Sequence, residues 1–176
     1  MQTVQKTTSS SLTAENLALE GKWVLYYHLP QDKNWEFDSF KIIMSDIDRA
    51  DKLIALNESL PTKVVQYTML FVMRKGIKPM WEDPQNKNGG CFSYKVSNKF
   101  VTDVWKSLFY ALCGETLFID PKKNKFANGI TISPKKNFCI VKIWMRDESI
   151  QDPSDVIHIP NLTTFGCLFK KHGNDA

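Results

Sequence analysis

The alternation of hydrophobic and polar residues divides the chain into strand-like and helix-like segments. Short apolar runs bounded by proline, glycine, asparagine or serine predict strands. Two other segments, residues 45–59 and 97–114, repeat their apolar residues at helical spacing. Strands that outnumber the helices and stand apart from them predict an α+β fold on an antiparallel sheet. The predicted strands cover residues 23–28, 37–44, 64–74, 91–96, 127–133, 138–145 and 165–169.

Each predicted helix has a candidate start and an apolar stripe. Ser45 and Asp48 resemble a capping box for the first helix. Ser97 or Asn98 is expected to cap the second helix, which stops at Gly114. The stripes consist of Ala50, Leu53, Leu56 and Leu60 in the first helix, and of Val101, Val104, Trp105, Leu108 and Leu112 in the second.

Strand periodicity also predicts which side chains share a face of the sheet. Side chains alternate between the two faces along a strand, so Lys142 and Trp144 point the same way. The apolar residues Cys139, Val141 and Ile143 then point toward the helices. Strands 64–74 and 91–96 flank a single loop and are expected to pair as a long hairpin.

Composition narrows the class of protein. The 176 residues are 43% hydrophobic and 24% charged, which suits one globular domain. Residues 1–16 are rich in Ser, Thr and Gln and are expected to form a disordered tail, followed by a single domain over residues 17–176. The net charge of +4 is too mild for a general duplex binder, but it would favour an anionic ligand.

The cysteines and histidines indicate neither a metal site nor catalysis. Four widely spaced cysteines, without a CxxC pair, are expected to be reduced thiols. His28, His158 and His172 fall in unrelated segments, so we expect a protein that is not an enzyme and needs no cofactor. No signal peptide or membrane-spanning run is visible, which predicts a cytoplasmic protein without membrane contact.

Segment 76–90, Gly-Ile-Lys-Pro-Met-Trp-Glu-Asp-Pro-Gln-Asn-Lys-Asn-Gly-Gly, carries the most specific chemistry. It places Trp81 on a polar loop without apolar periodicity, so the indole needs a partner other than a core. The neighbouring Glu82 can accept two parallel hydrogen bonds, the pattern that the N1–H and N2–H edge of guanine donates. Together the two residues predict a purine pocket.

A second loop tryptophan and several lysines extend this prediction. Trp35 offers another indole, and Lys135, Lys136 and Lys142 suit the phosphates of a purine nucleotide. Two indoles would clamp a positively charged base by stacking and cation–π attraction.

Each of these residues has a purely structural alternative. Trp23 and Trp105 lie on apolar-periodic segments, where core packing is the expected role. Trp35 alone could fold over its loop, Trp144 could be buried at the centre of the sheet, and Lys135 with Lys136 could form a solvated turn.

The 76–90 loop resembles that of the cap-binding translation initiation factor 4E family, and the similarity runs from about Leu19 to Arg146. It also covers Trp35 after its short polar loop, Trp105 near the middle of a helix, and Trp144. Membership implies a curved antiparallel sheet of six to eight strands with two or three helices on its convex face. The messenger RNA cap is held on the concave side in this family.

The resemblance implies roles for individual residues. Trp35 and Trp81 match the indoles that sandwich 7-methylguanine, and Glu82 matches the carboxylate that hydrogen-bonds the guanine edge. Met80 and the backbone N–H of Trp81 complete this part of the site. Trp144 would contact the methyl group, and Lys135 matches a basic residue that contacts the phosphates.

Several positions depart from the family pattern. Ile140 stands where a phosphate-contacting lysine is usual, and Lys142 is expected to take over that role. Met69 and Cys91 replace an aspartate and a basic residue, so the triphosphate is expected to bind more weakly or differently. The third family helix is reduced to a turn near Pro153. The shortened C-terminal loop that helps to cover the ligand leaves Lys170, Lys171 and His172 as its remnant.

The family also docks a helix of initiation factor 4G, or of an inhibitor, on the opposite face. Ile54 and Trp105 are the positions assigned to this partner. Ile54 replaces the docking tryptophan and Lys106 replaces a typical leucine, so such a partner is expected to bind differently or weakly.

The resemblance therefore predicts a monomer that binds the 7-methylguanosine cap of mRNA in translation initiation. The alternative is a homologue with weakened cap preference that acts as a translational repressor, scaffold or general RNA-binding protein. It would bind capped and uncapped RNA alike, with stronger salt dependence.

Overall fold

A computed structural model describes residues 17–173, which form an antiparallel sheet and three α-helices. The tail predicted at residues 1–16 lies outside this range. Within it, the α+β class is confirmed, and the seven strands are ordered β2-β1-β3-β5-β6-β4-β7. The strands are β1 Ala18–His28, β2 Lys41–Arg49, β3 Met69–Arg74, β4 Gly90–Ser97, β5 Ala127–Pro134, β6 Phe138–Met145 and β7 Leu168–Lys171. The helices are α1 Ala50–Ser59, α2 Thr62–Tyr67 and α3 Val101–Cys113.

The main core lies between the helices and one face of the sheet. The five apolar residues of the predicted α3 stripe are buried, as are Leu53 and Leu56 of α1. Cys139, Val141 and Ile143 of β6 are buried in the same cluster. The predicted orientation of β6 is therefore confirmed, and its other face, with Lys142 and Trp144, is directed away from the helices.

The strand predicted at 64–74 is only half right. Residues up to Tyr67 form α2, and β3 begins at Met69. Pro61 precedes the first turn of α2, and its carbonyl oxygen accepts a hydrogen bond from the Val64 N–H at 2.9 Å. Val65 is buried in the cluster that contains α3. Tertiary packing therefore overrides the β-branched preference of the two valines.

The predicted hairpin between β3 and β4 is wrong. β3 pairs with β1 and β5, whereas β4 pairs with β6 and β7. A long connection, residues 75–89, joins the two strands, and a connection of that length does not impose pairing. The loop, which contains Trp81, instead crosses from β3 to β4 past the two strands that lie between them, β5 and β6.

Several boundaries also differ from the prediction. Ser45 and Asp48 lie in β2, and α1 begins after Arg49 without a side-chain cap. Phe100 rather than Ser97 or Asn98 precedes α3. Other elements shift by a few residues: Phe37–Ser39 is a short 3-10 helix before β2, and the last strand is Leu168–Lys171. The expected reduction near Pro153 is confirmed as a 3-10 turn, Pro153–Asp155.

Candidate functional site

A cavity of about 360 Å³ lies on the face of the sheet that the helices leave uncovered. That volume is within the range of small-molecule sites. Its lining includes six of the seven residues assigned to ligand binding from the sequence: Trp35, Met80, Trp81, Glu82, Lys142 and Trp144.

Hydrogen bonds within the loop after β3 fix the position of Trp81. The Asp83 carboxylate accepts from the backbone N–H groups of Lys78 and Gln85, at 2.9 and 2.8 Å. Asn86, which is fully buried, donates to the carbonyl oxygens of Lys78 and Met80. The Asp83 carboxylate therefore holds the loop in place.

Trp81 and Glu82 themselves remain available to a ligand. The Trp81 side chain is 46% exposed, although its loop is tightly bonded. Among residues 17–173, no hydrogen bond or ion pair engages the Glu82 carboxylate or the Trp81 backbone N–H. Trp81 and Glu82 thus offer an indole, a carboxylate and an N–H donor along one wall of the cavity.

Trp35 is held from behind by a buried histidine. The His28 and Trp35 rings are stacked with centroids 4.2 Å apart and planes 6° from parallel. His28 is fully buried, and its Nε2–H donates to the Asn34 carbonyl oxygen at 2.7 Å. Trp35 nonetheless remains 50% exposed. It is supported on one side and open on the other, which leaves one face of the indole accessible to a ligand.

Trp144 belongs to the floor of the cavity. It is only 8% exposed, and its Nε1–H donates to the Thr131 hydroxyl oxygen on β5 at 3.2 Å. Its ring centroid lies 4.7 Å from that of His172. The predicted burial is confirmed, and since the indole also lines the cavity, its contact with a ligand stays a prediction.

The lysines predicted to contact phosphate separate into two positions. Lys142 on β6 lines the cavity. Lys135 does not: it lies exposed in the turn between β5 and β6, where its backbone N–H donates to the Phe138 carbonyl oxygen. Lys135 is therefore not part of the cavity lining, and its contact with the phosphates stays a prediction.

The C-terminal strand brings further basic residues, which the sequence analysis named only as the remnant of a loop that helps to cover the ligand. β7 pairs with β4, and Lys170, Lys171 and His172 reach the cavity. Their run in the sequence was visible, but no periodicity indicated which strand they would join.

Paired glycines allow the strands around the cavity to approach closely. A Cβ on Gly89 would collide with the Met145 carbonyl oxygen, and one on Gly90 with the Lys170 carbonyl oxygen. Since β4 lies between β6 and β7, side chains at these positions would push the neighbouring strands apart.

The two partner-assigned residues have different surroundings. Ile54 is 52% exposed on α1. Trp105 is fully buried in the core, which confirms its core-packing alternative and removes its side chain from any docking surface. Nearby, the Lys106 ammonium and the Tyr110 hydroxyl both bond Glu58, and they lower the pKa of that carboxyl.

In the described part of the chain, no helix is long and apolar enough to cross a membrane. Nor does any group of three or more His, Cys, Asp or Glu residues between 17 and 173 stand ready to hold a metal ion.

Sequence comparisons point to one family. The family model "Eukaryotic initiation factor 4E" matches residues 18–165. The eukaryotic translation initiation factor 4E homolog of Acanthamoeba polyphaga mimivirus is 31% identical over 138 residues, 67% of this chain and 51% of that protein. Eukaryotic translation initiation factor 4E-2 of Schizosaccharomyces pombe is 32% identical over 143 residues, 76% of this chain and 56% of that protein. The chain thus spans just over half the length of these relatives.

Solved structures agree with the sequence match. Ascaris suum eIF4E-3 in complex with the m7G cap has a TM-score of 0.65 and 25% identity, over 76% of this chain and 75% of that chain. C. elegans eIF4E-3 in complex with the 4E-binding protein Mextli and a cap analog has a TM-score of 0.65 and 26% identity, over 74% and 75% of the two chains. The family match over most of the chain and the shared fold lead to one conclusion: the chain belongs to the eukaryotic initiation factor 4E family.

Proposed function

We propose that this protein binds the 7-methylguanosine cap of mRNA and acts, without catalysing a reaction, in cytoplasmic translation initiation. One observation carries the proposal: Trp35 and Trp81 expose half of their large apolar side chains into the same cavity. Exposed aromatic surface of this kind, rigidly supported from behind, is typical of a binding site. The solved relatives bound to cap or a cap analog support the same assignment.

The charge of the ligand explains the composition of the site. Methylation at N7 makes guanine cationic, and a cation over an indole face gains about 1–2 kcal/mol when desolvated. Trp35 and Trp81 would take the two faces of the base. Glu82 would accept from the N1–H and N2–H groups, and charge-assisted bonds of this kind are stronger than neutral ones.

The remaining contacts would discriminate the modified base. The free Trp81 N–H would donate to the guanine carbonyl oxygen beside Met80. Trp144 would lie against the methyl group at the base of the cavity. Lys142 lies on the same face of β6 as Trp144, two residues before it, and would contact the phosphates.

The partner assignment remains part of the proposal. Ile54 presents an exposed apolar side chain on α1, and Lys106 with Glu58 places an ion pair between α1 and α3. A helix from a 4G-like factor or an inhibitor would have to accommodate that charged pair. The neighbours solved with Mextli or with 4E-BP show that such partners bind those proteins.

Fluorescence anisotropy with capped and uncapped RNA of one sequence tests the proposal. We expect the capped RNA to bind more tightly at every salt concentration. Glu82→Gln, which keeps the shape but removes the charge, should erase most of that preference, because hydrogen bonds to charged groups contribute about 1.5–3 kcal/mol.

Equal affinities with a steep salt dependence would contradict cap recognition and would favour the general RNA-binding or repressor alternative. Glu36→Gln, an exposed carboxylate that does not line the cavity, is the matched control and should leave the preference unchanged.

A further inference from the structure

The charged residues that line the cavity are mostly basic. Glu82 is the one acidic residue that lines it in the described part of the chain. Three lysines line it as well: Lys142 on β6, and Lys170 and Lys171 on β7. Their excess of positive charge favours an anionic group in the ligand.

Hydrogen-bond register places Lys170 on the cavity face of β7. Cys91 on β4 is paired with Trp144 on β6 and with Lys170 on β7. Residues paired across neighbouring strands point to the same face. Trp144, Cys91 and Lys170 therefore form one row across the cavity, with Cα atoms two strand spacings, about 10 Å, apart at its ends.

The lysines differ in whether their charge is already used. Lys171 is paired with Glu148, whose carboxylate oxygen lies 2.5 Å from its Nζ. Lys142 and Lys170 have no ion pair or hydrogen bond through their side chains to any residue between 17 and 173. Two ammonium groups are thus free to meet a ligand, one on each side of β4.

The end of β7 also lies against the indoles of the cavity. The His172 ring contacts that of Trp144, and a Cβ on Gly173 would lie 3.4 Å from the Trp81 ring. A base held by these indoles would lie close to the strand that carries Lys170. Lys135, by contrast, is outside the cavity.

We infer that Lys170 on β7 is a specificity-determining residue that binds the phosphate chain of the ligand, with Lys142 on the other side of β4. The phosphate subsite of this chain thereby includes the C-terminal strand, next to Cys91. This inference rests on the proposed cap binding, whose base-recognition part does not involve Lys170.

The test measures affinities for 7-methylguanosine and 7-methyl-GTP by tryptophan fluorescence quenching, in the wild type and in single variants. Lys170→Ala should weaken 7-methyl-GTP roughly 3- to 10-fold, the range expected for one partly exposed charge contact. It should leave the affinity for 7-methylguanosine unchanged. Lys170→Arg, which keeps the charge, should restore the wild-type ratio of the two affinities. Lys171→Ala removes a charge that is already paired, and Lys136→Ala removes one from the remote turn, so both should have much smaller effects.

Two results would overturn the inference. One is an unchanged ratio of the two affinities in Lys170→Ala, and the other is an equal fall in Lys136→Ala. Failure of cap binding itself would appear differently, as equal binding of 7-methylguanosine and guanosine by the wild type.

Inorganic tripolyphosphate tests the subsite without the base. We expect it to raise the thermal midpoint of the wild type and not that of Lys170→Ala. An equal rise in both proteins, or none in either, would count against Lys170.

Discussion

At the scale of single residues, the cavity combines exposed rings with rigid supports. Trp35 rests on His28, and the Trp81 loop rests on Asp83 and Asn86. An exposed side chain normally samples several rotamers, so fixing each indole before binding lowers the entropy cost of clamping a base. These supports, more than the number of contacts, are expected to set the affinity.

His28 provides a direct test of this support. Its Nε2–H donates to Asn34, but its Nδ1 is buried without a hydrogen-bond partner among the described residues. His28→Ala removes both the stacking surface and the hydrogen bond to Asn34. The binding free energy of 7-methyl-GTP should therefore weaken by about 1 kcal/mol or more. His28→Phe keeps an aromatic surface and removes the unpaired nitrogen, so it should retain most of the affinity.

Fluorescence titration and chemical denaturation of the same variants check this prediction. His158→Ala, at an exposed position remote from the cavity, is the control. Equal affinities for wild type and His28→Ala would show that the ring behind Trp35 does not position it.

At the scale of elements, close contact of β4 with its neighbours builds the cavity wall. β4 joins β6, which carries Trp144 and Lys142, to β7, which carries Lys170. Gly90 is required there because a side chain would meet the backbone of Lys170 and the ring of Phe169.

Gly90→Ala should therefore loosen β7. Overpacking at such a position lowers the free energy of unfolding by about 1–3 kcal/mol. Because β7 is the edge strand of the sheet, it can relieve the clash by moving away from β4. We expect faster amide hydrogen exchange in the β4–β7 ladder near Phe92, with little change in the β1–β3 ladder.

Gly76→Ala separates this effect from backbone strain. Gly76 has a φ of 91°, but a Cβ there would meet no atom within 4 Å. Gly76→Ala should lower the free energy of unfolding, because alanine is strained at this positive φ. It should leave amide hydrogen exchange in β7 unchanged. The same exchange pattern in both variants would contradict the packing explanation.

The helices and strands show which features of the fold could be predicted from the sequence and which could not. The apolar period of α3 and the alternation along β6 predicted their buried faces correctly, since both patterns are local consequences of packing against one core. The order of the strands was not predictable in the same way: the loop 75–89 is compatible with either a hairpin or a crossing.

At the scale of the whole molecule, the sheet separates two kinds of surface. One face carries the helices and the core, and the other carries the cavity with its indoles and lysines. Residues of the cavity come from the loops after β1 and β3 and from strands β3 to β7, which lie far apart in the chain. Only the complete sheet brings them together, so base recognition is expected to be lost on unfolding of any of these strands.

The affinity ratio between 7-methyl-GTP and GTP, measured by quenching of tryptophan fluorescence, tests cap recognition most directly. The two ligands share the same phosphates and differ by the methyl group and its positive charge, so the ratio isolates the indole clamp from the lysines. Cation–π attraction at two ring faces predicts roughly 30-fold or greater preference for the methylated nucleotide. Equal affinities would contradict the proposal that Trp35 and Trp81 hold a cationic base.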